Sequence, residues 1–151
     1  MTPLVTLDKV YVSAALAAVE EFTYGDTIGK DWLLAKFGLT QPIEGTKKDF
    51  DTFAFDFLQN VEGFRGVLLE EHKMHLLNVR GVGYQIVPPK AQTKVAMDRL
   101  KEKVSAEIKR AVTVLQNTNE SLLSLDQIQE KDEAIGKVAA ITAFNRQRLL
   151  R

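Results

Sequence analysis

Apolar residues recur at spacings of three and four along most of this chain, and one short stretch alternates instead. Over residues 7–22, Val10, Leu16, Val19 and Phe22 stand among alanines, which predicts a helix with Thr6 as its N-cap. Tyr24, Gly25 and Asp26 break the pattern. Residues 27–37, with Ile28, Trp32, Leu33 and Phe37 turned inward, predict a second helix ended by Gly38, and residues 40–45, containing Pro42, predict a loop. The longest signal of the first half covers residues 47–72, where Phe50, Phe53, Phe57, Val61, Phe64 and Leu68 line one face. Gly63 and Gly66 interrupt it at roughly 1 kcal/mol each against alanine. The expectation is one helix from about Phe53 onward, with a local reason for the glycines such as the close approach of another backbone; two separate pieces are the alternative.

The stretch NVRGVGYQIVPP, residues 78–89, changes the period. It predicts two extended pieces, 76–79 and 84–87, joined by a turn for which Gly81 and Gly83 supply backbone angles closed to other residues. Pro88 and Pro89 end the second piece, because proline donates nothing to a strand ladder. Residues 90–93 read as a linker. Beyond it Met97, Leu100, Val104, Ile108, Ala111 and Leu115 predict an amphipathic helix closed by polar residues 117–121. Ser124 and Gln127 form a capping-box pair for a last helix bearing Ile128, Ile135, Val138, Ile141 or Thr142, and Leu149. Two such helices predict a helical hairpin with too little core to stand alone, so it should pack on the first domain or on a second copy.

Composition narrows the class. The 151 residues are 45% hydrophobic and 26% charged, as in soluble globular chains, and contain no cysteine, which removes disulfides and thiolate metal sites. No apolar run reaches membrane-spanning length and no signal peptide is recognisable, so a cytoplasmic protein without membrane contact is expected. Net charge is zero, yet residues 1–89 carry 8 Lys/Arg against 12 Asp/Glu and residues 90–151 the reverse, 12 against 8. Basic residues of the second half cluster at Lys101, Lys103, Lys109 and Arg110 and at Arg146, Arg148 and Arg151, near Glu102 and Glu107 in the first case.

The segment LLNVRGVGYQIVPP resembles the closing hairpin of the effector domains of OmpR/PhoB response regulators, through Asn78, Val79, Arg80, Gly81, Val82, Gly83, Tyr84 and Ile86. Phe64, Arg65 and Leu68 lie upstream at a distance similar to that of the family's recognition-helix residues. The resemblance covers about a dozen residues; the family's receiver domain and N-terminal sheet have no counterpart, and phosphorelay control is not implied. It implies a winged helix. The whole, a compact winged helix with a helical appendage, looks like small phage or mobile-element DNA-binding proteins.

The expected fold is mainly α with a small β-hairpin: a winged helix-turn-helix at 1–89, followed at 90–151 by an α-helical hairpin that makes a homo-oligomer, most simply a dimer. The expected function is double-stranded DNA binding by a regulator of transcription. Gln59 and Asn60 suit adenine, Arg65 suits guanine or phosphate, and Arg80, Lys47, Lys48 and Lys73 suit phosphate. Arg80 has an alternative, pairing with Glu70 or Glu71, and Tyr84 is expected in the core. Against DNA stand the carboxylates of the 53–72 helix, Asp56, Glu62 and Glu70, and the alternative function is a protein-interaction or inhibitor module using the same surface. His72 and His75 beside Glu70 and Glu71 are too few ligands for a zinc site. With no phosphate loop, nucleophile elbow or dinucleotide fingerprint, no enzyme and no cofactor are expected.

Overall fold

A computed structural model describes residues 9–148. The chain divides into two compact units, one reaching Gln92 and the other starting at Thr93. The first is mainly helical with a small antiparallel sheet: α1 (Val10–Glu21), β1 (Thr27–Gly29), α2 (Lys30–Phe37), α3 (Lys47–His72), β2 (Leu76–Val79) and β3 (Gly83–Ile86). The sheet order is β1-β3-β2, with Ile28 opposite Tyr84 and Asn78 opposite Tyr84 on the other side. The predicted cap Thr6 lies outside the described residues.

The first difference from the sequence expectation is β1. Residues 27–29 are a strand, and the helix expected over 27–37 starts only at Lys30. Three residues suffice because the ladder extends past them: the amide of Gly25 donates to the Ile86 carbonyl, and that of Ile86 to the Asp26 carbonyl, both at 2.8 Å. Gly38 ends α2 in the left-handed region, φ 66°, as its position implied.

α1 buries its alanines and not its larger side chains. Leu16 is 56% exposed and Val10 is exposed too, whereas Ala14, Ala15 and Ala18 are buried. Small side chains let α1 lie close on α3, and at the crossing the Tyr11 ring covers Gly63, where an added Cβ would sit 2.5 Å from it. The close approach at Gly63 is thus by an aromatic ring and not by another backbone, and Gly66 has nothing within 4 Å. Around these alanines the core gathers Ile28, Leu33, Phe37, Val61, Phe64, Leu68, Met74, Leu76 and Ile86. Trp32 closes its edge, its ring 5.2 Å from Phe22, while its indole N–H donates to Glu21 at 2.6 Å. That bond, helped by Lys36, holds the Glu21 carboxyl below its usual range.

α3 is a single helix beginning six residues before the expected start at Phe53. A capping box starts it: the Asp49 amide donates to the Thr46 hydroxyl at 3.3 Å and the Thr46 amide to the Asp49 carboxylate at 2.8 Å. Phe53 and Phe57 then stack one turn apart, centroids 6.3 Å. We expect Thr46→Ala to cost about 1 kcal/mol, read as a lower thermal midpoint. The bonds from Thr46, first from its amide and then its hydroxyl, hold the Asp49 carboxyl below its usual range. Its contribution is thus complete above the unfolded aspartate value of about 4 and fades as pH falls through the lower folded value. The stability gap between wild type and Asp49→Asn should close on acidification through that window; a gap that widens would contradict the cap.

α4 (Pro89–Gln116) begins in the last residues of the first unit, and the second unit holds the rest of it, a 3-10 turn at Glu120–Leu122 and α5 (Leu125–Arg148). Residues 90–93, expected as a linker, belong to the first turn of α4, with Pro89 at its first position, where the missing N–H costs nothing. The Ser124 amide donates to Gln127 at 2.9 Å and the Gln127 amide back to the Ser124 hydroxyl at 3.3 Å, so the expected capping box forms. Half-buried positions include Met97, Lys101, Val104, Ile108, Val112 and Leu115 in α4, beside Ala91, Gln92, Val95 and Ala106, and Ile128, Lys131, Ile135, Val138 and Thr142 in α5, beside Ala134; the first-named set in each helix is spaced by three or four. Spacings of three and four are those of a coiled-coil seam. Among the described residues neither helix buries an apolar side chain; the one buried residue is Asn145. Leu149 lies outside them. No described helix is long and apolar enough to cross a membrane.

Candidate interaction surface

The buried residues of α3, Val61, Phe64 and Leu68, all lie in its C-terminal half. No residue from Lys47 to Asn60 is buried, and in that front half of a helix roughly 39 Å long at 1.5 Å per residue Phe57 is the side chain that packs against the core. Helical spacing sets Asp51, Phe55, Leu58 and Glu62 on one exposed flank. Phe55 is 65% and Leu58 57% exposed. Neither belongs to the stripe of Phe50, Phe53, Phe57, Val61, Phe64 and Leu68, and that misfit was the available sequence signal for an outward apolar pair. From Asp49 to Phe64 the helix carries Asp49, Asp51, Asp56 and Glu62 and no lysine or arginine.

The candidate DNA-contact residues do not converge. Gln59 and Asn60 border a hollow on the α1 side of α3, with Lys9, Tyr11 and Gly63, and the Asn60 amide donates to the Asp56 carbonyl at 2.9 Å. Arg65 is turned inward, 22% of its side chain exposed. Its guanidinium donates to the Leu76 carbonyl at 3.2 Å, lies 5.7 Å from the Tyr84 ring centroid and reaches Glu62 at 3.5 Å. Arg65 therefore clamps α3 to the hairpin, and Tyr84 packs against the core beneath it as expected. Arg65→Ala should cost about 1–2 kcal/mol in stability from lost packing and a carbonyl left without its donor. An unchanged thermal midpoint would return Arg65 to the free surface.

Lys73 forms the C-cap of α3 at φ 58°, and its ammonium donates to the Glu70 carbonyl at 2.6 Å. Arg80 lies exposed in the hairpin turn, where the Val82 amide donates to the Val79 carbonyl at 3.0 Å. Among the described residues it has no ion pair, so the pairing with Glu70 or Glu71 does not form. Lys47 and Lys48 are exposed in the first turn of α3, likewise without an ion pair. Between turn and α3 lies a hollow of about 230 Å³ lined by Lys30, Phe57, Asn78 and Tyr84. Among the described residues no group of three or more His, Cys, Asp or Glu could hold a metal ion; His72 keeps Nε2 buried without a hydrogen-bond partner. Comparison with protein-family models, with curated proteins and with solved structures returned no match.

Proposed function

We propose that the first unit is a winged helix that works as a protein-interaction module, docking a partner on the Asp51–Phe55–Leu58–Glu62 flank of α3. The element order α1-β1-α2-α3-β2-β3 and the sheet order β1-β3-β2 agree with that fold. The observation that carries the function is the pair Phe55 and Leu58, held out of the core between carboxylates on the helix that would otherwise read DNA. Two large apolar groups bounded by acids suit a partner face that is apolar at its centre and basic at its rim. The same acids repel phosphate, and the one arginine of α3 is occupied. The second unit provides self-association: Leu100, Val114, Ile141 and Phe144 are exposed on helices that bury no apolar side chain of their own.

Double-stranded DNA binding by a dimeric transcription regulator is the second reading, favoured by Arg80 free at the hairpin tip and by Lys47 and Lys48 free at the start of α3. Fluorescence anisotropy of a labelled duplex over a salt series separates the two, with light scattering on the same sample for the oligomer. Our reading expects a dimer with no saturable binding at physiological salt. Binding that weakens steeply with salt, and whose salt slope becomes shallower in Arg80→Ala, would replace it with the DNA reading.

A further inference from the structure

Within the second unit, α4 and α5 enclose a groove of about 210 Å³ at the end nearer Arg146. Its floor is apolar, from Val104 and Ile108, and its rim carries Lys101, Ser105 and Arg146, with no carboxylate in the lining. Neither Lys101 nor Arg146 makes an ion pair. Asn145, only 7% exposed, also lines the groove, and no hydrogen bond is made by its side-chain amide. Its polar atoms are not wholly enclosed, so the amide looks onto the groove.

Three features thus meet in one place. A mostly buried amide that makes no hydrogen bond within the chain and opens onto the groove is held in place to meet a polar group there. Two cations face the same opening, neither of them in an ion pair, and the carboxylate that Lys101 feels, Asp98, is outside the lining. An apolar floor adjoins them, with room for at least about seven groups of water size at ~30 Å³ each. We infer that this groove binds a small amphiphilic carboxylate, its head held by Arg146, Lys101 and the Asn145 amide and its short hydrocarbon tail laid on Val104 and Ile108. Arginine is suited to the head because its planar fork meets both carboxylate oxygens. The site is independent of the α3 flank, since every residue in it belongs to the second unit.

The test is a titration of the full-length protein with hexanoate, followed through the side-chain amide signals of Asn145 in nitrogen-edited NMR. Saturable shifts at millimolar hexanoate are expected, the affinity scale for a ligand of about eight heavy atoms. Hexanol, which lacks the charge, should leave those signals in place, and Arg146→Gln or Lys101→Gln should weaken hexanoate roughly tenfold or more. Circular dichroism of each variant checks that the helices persist. No shift with hexanoate would overturn the site. Equal shifts with hexanol, or undiminished hexanoate binding in both charge variants, would reduce it to unspecific apolar contact and overturn it as well. Signals that move with protein concentration but not with hexanoate would assign the groove to a second copy of the chain.

Discussion

Replacing Gly83 by alanine is expected to destabilise the first unit by more than about 3 kcal/mol, because the new Cβ has no space that a side-chain adjustment can supply. An ideal Cβ there would lie 2.1 Å from the Ile28 carbonyl oxygen and 3.0 Å from its carbonyl carbon, both backbone atoms, and Gly83 has φ 150°. Relief requires β1 to leave β3, which gives up the pairing of residues 27–29 and opens the cover over fully buried Ile28. Gly81 is the control: its φ of 78° strains an alanine, but nothing lies within 4 Å, so about 1 kcal/mol is expected. Gly66→Ala, in open space inside a helix, should gain up to about 1 kcal/mol. A Gly83→Ala protein that melts no lower than Gly81→Ala would mean that β1 does not pack against β3 this closely.

Phe64→Ala carries the other large expected effect, about 3–5 kcal/mol. Phe64 is fully buried, with its ring 6.2 Å from Trp32 and 6.0 Å from Phe37. Removing it leaves a void bordered by α2 and by the Trp32 edge, and α1 cannot easily collapse into it because its inward positions are alanines. For a unit of this size such a loss lowers the thermal midpoint by well over about 10 °C. Phe55→Ala, on the same helix but facing outward, should change stability by less than about 0.5 kcal/mol. The contrast separates the phenylalanines that build the fold from those left for a partner, and equal effects would erase the distinction on which the proposed function rests.

The parts of the fold legible in the sequence are those with local causes. The α3 stripe, the Gly38 stop, the Ser124 and Gln127 cap and the hairpin around Gly81 each depend on residues within a few positions of one another. β1 was not legible, since three residues carry no alternation and become a strand only because Gly83, far along the chain, lets them approach. The pattern of α1 predicted a helix and not its buried face, for a related reason: size, not hydrophobicity, decides what fits against α3, so alanines are buried and Leu16 is not. Among the candidate site residues, its place at the edge of the polar face of the helix and the family resemblance suggested Arg65 as a contact, and only the position of the Leu76 carbonyl and the Tyr84 ring gives it the role of a clamp. Asn145 carried no signal in the sequence; its spacing from half-buried Val138 and Thr142 brings it inside.

The α3 flank is tested most directly by site-specific photo-crosslinking, with a photoreactive phenylalanine analogue at position 55 of the full chain in the cells that make it. A matched control carries the analogue at position 129, an exposed site on α5. We expect one discrete protein adduct from position 55, absent from position 129 and lost when Leu58→Asp is added, with the fold retained by circular dichroism. No adduct from position 55, the same adducts from both positions, or adducts to nucleic acid instead of protein would contradict the account.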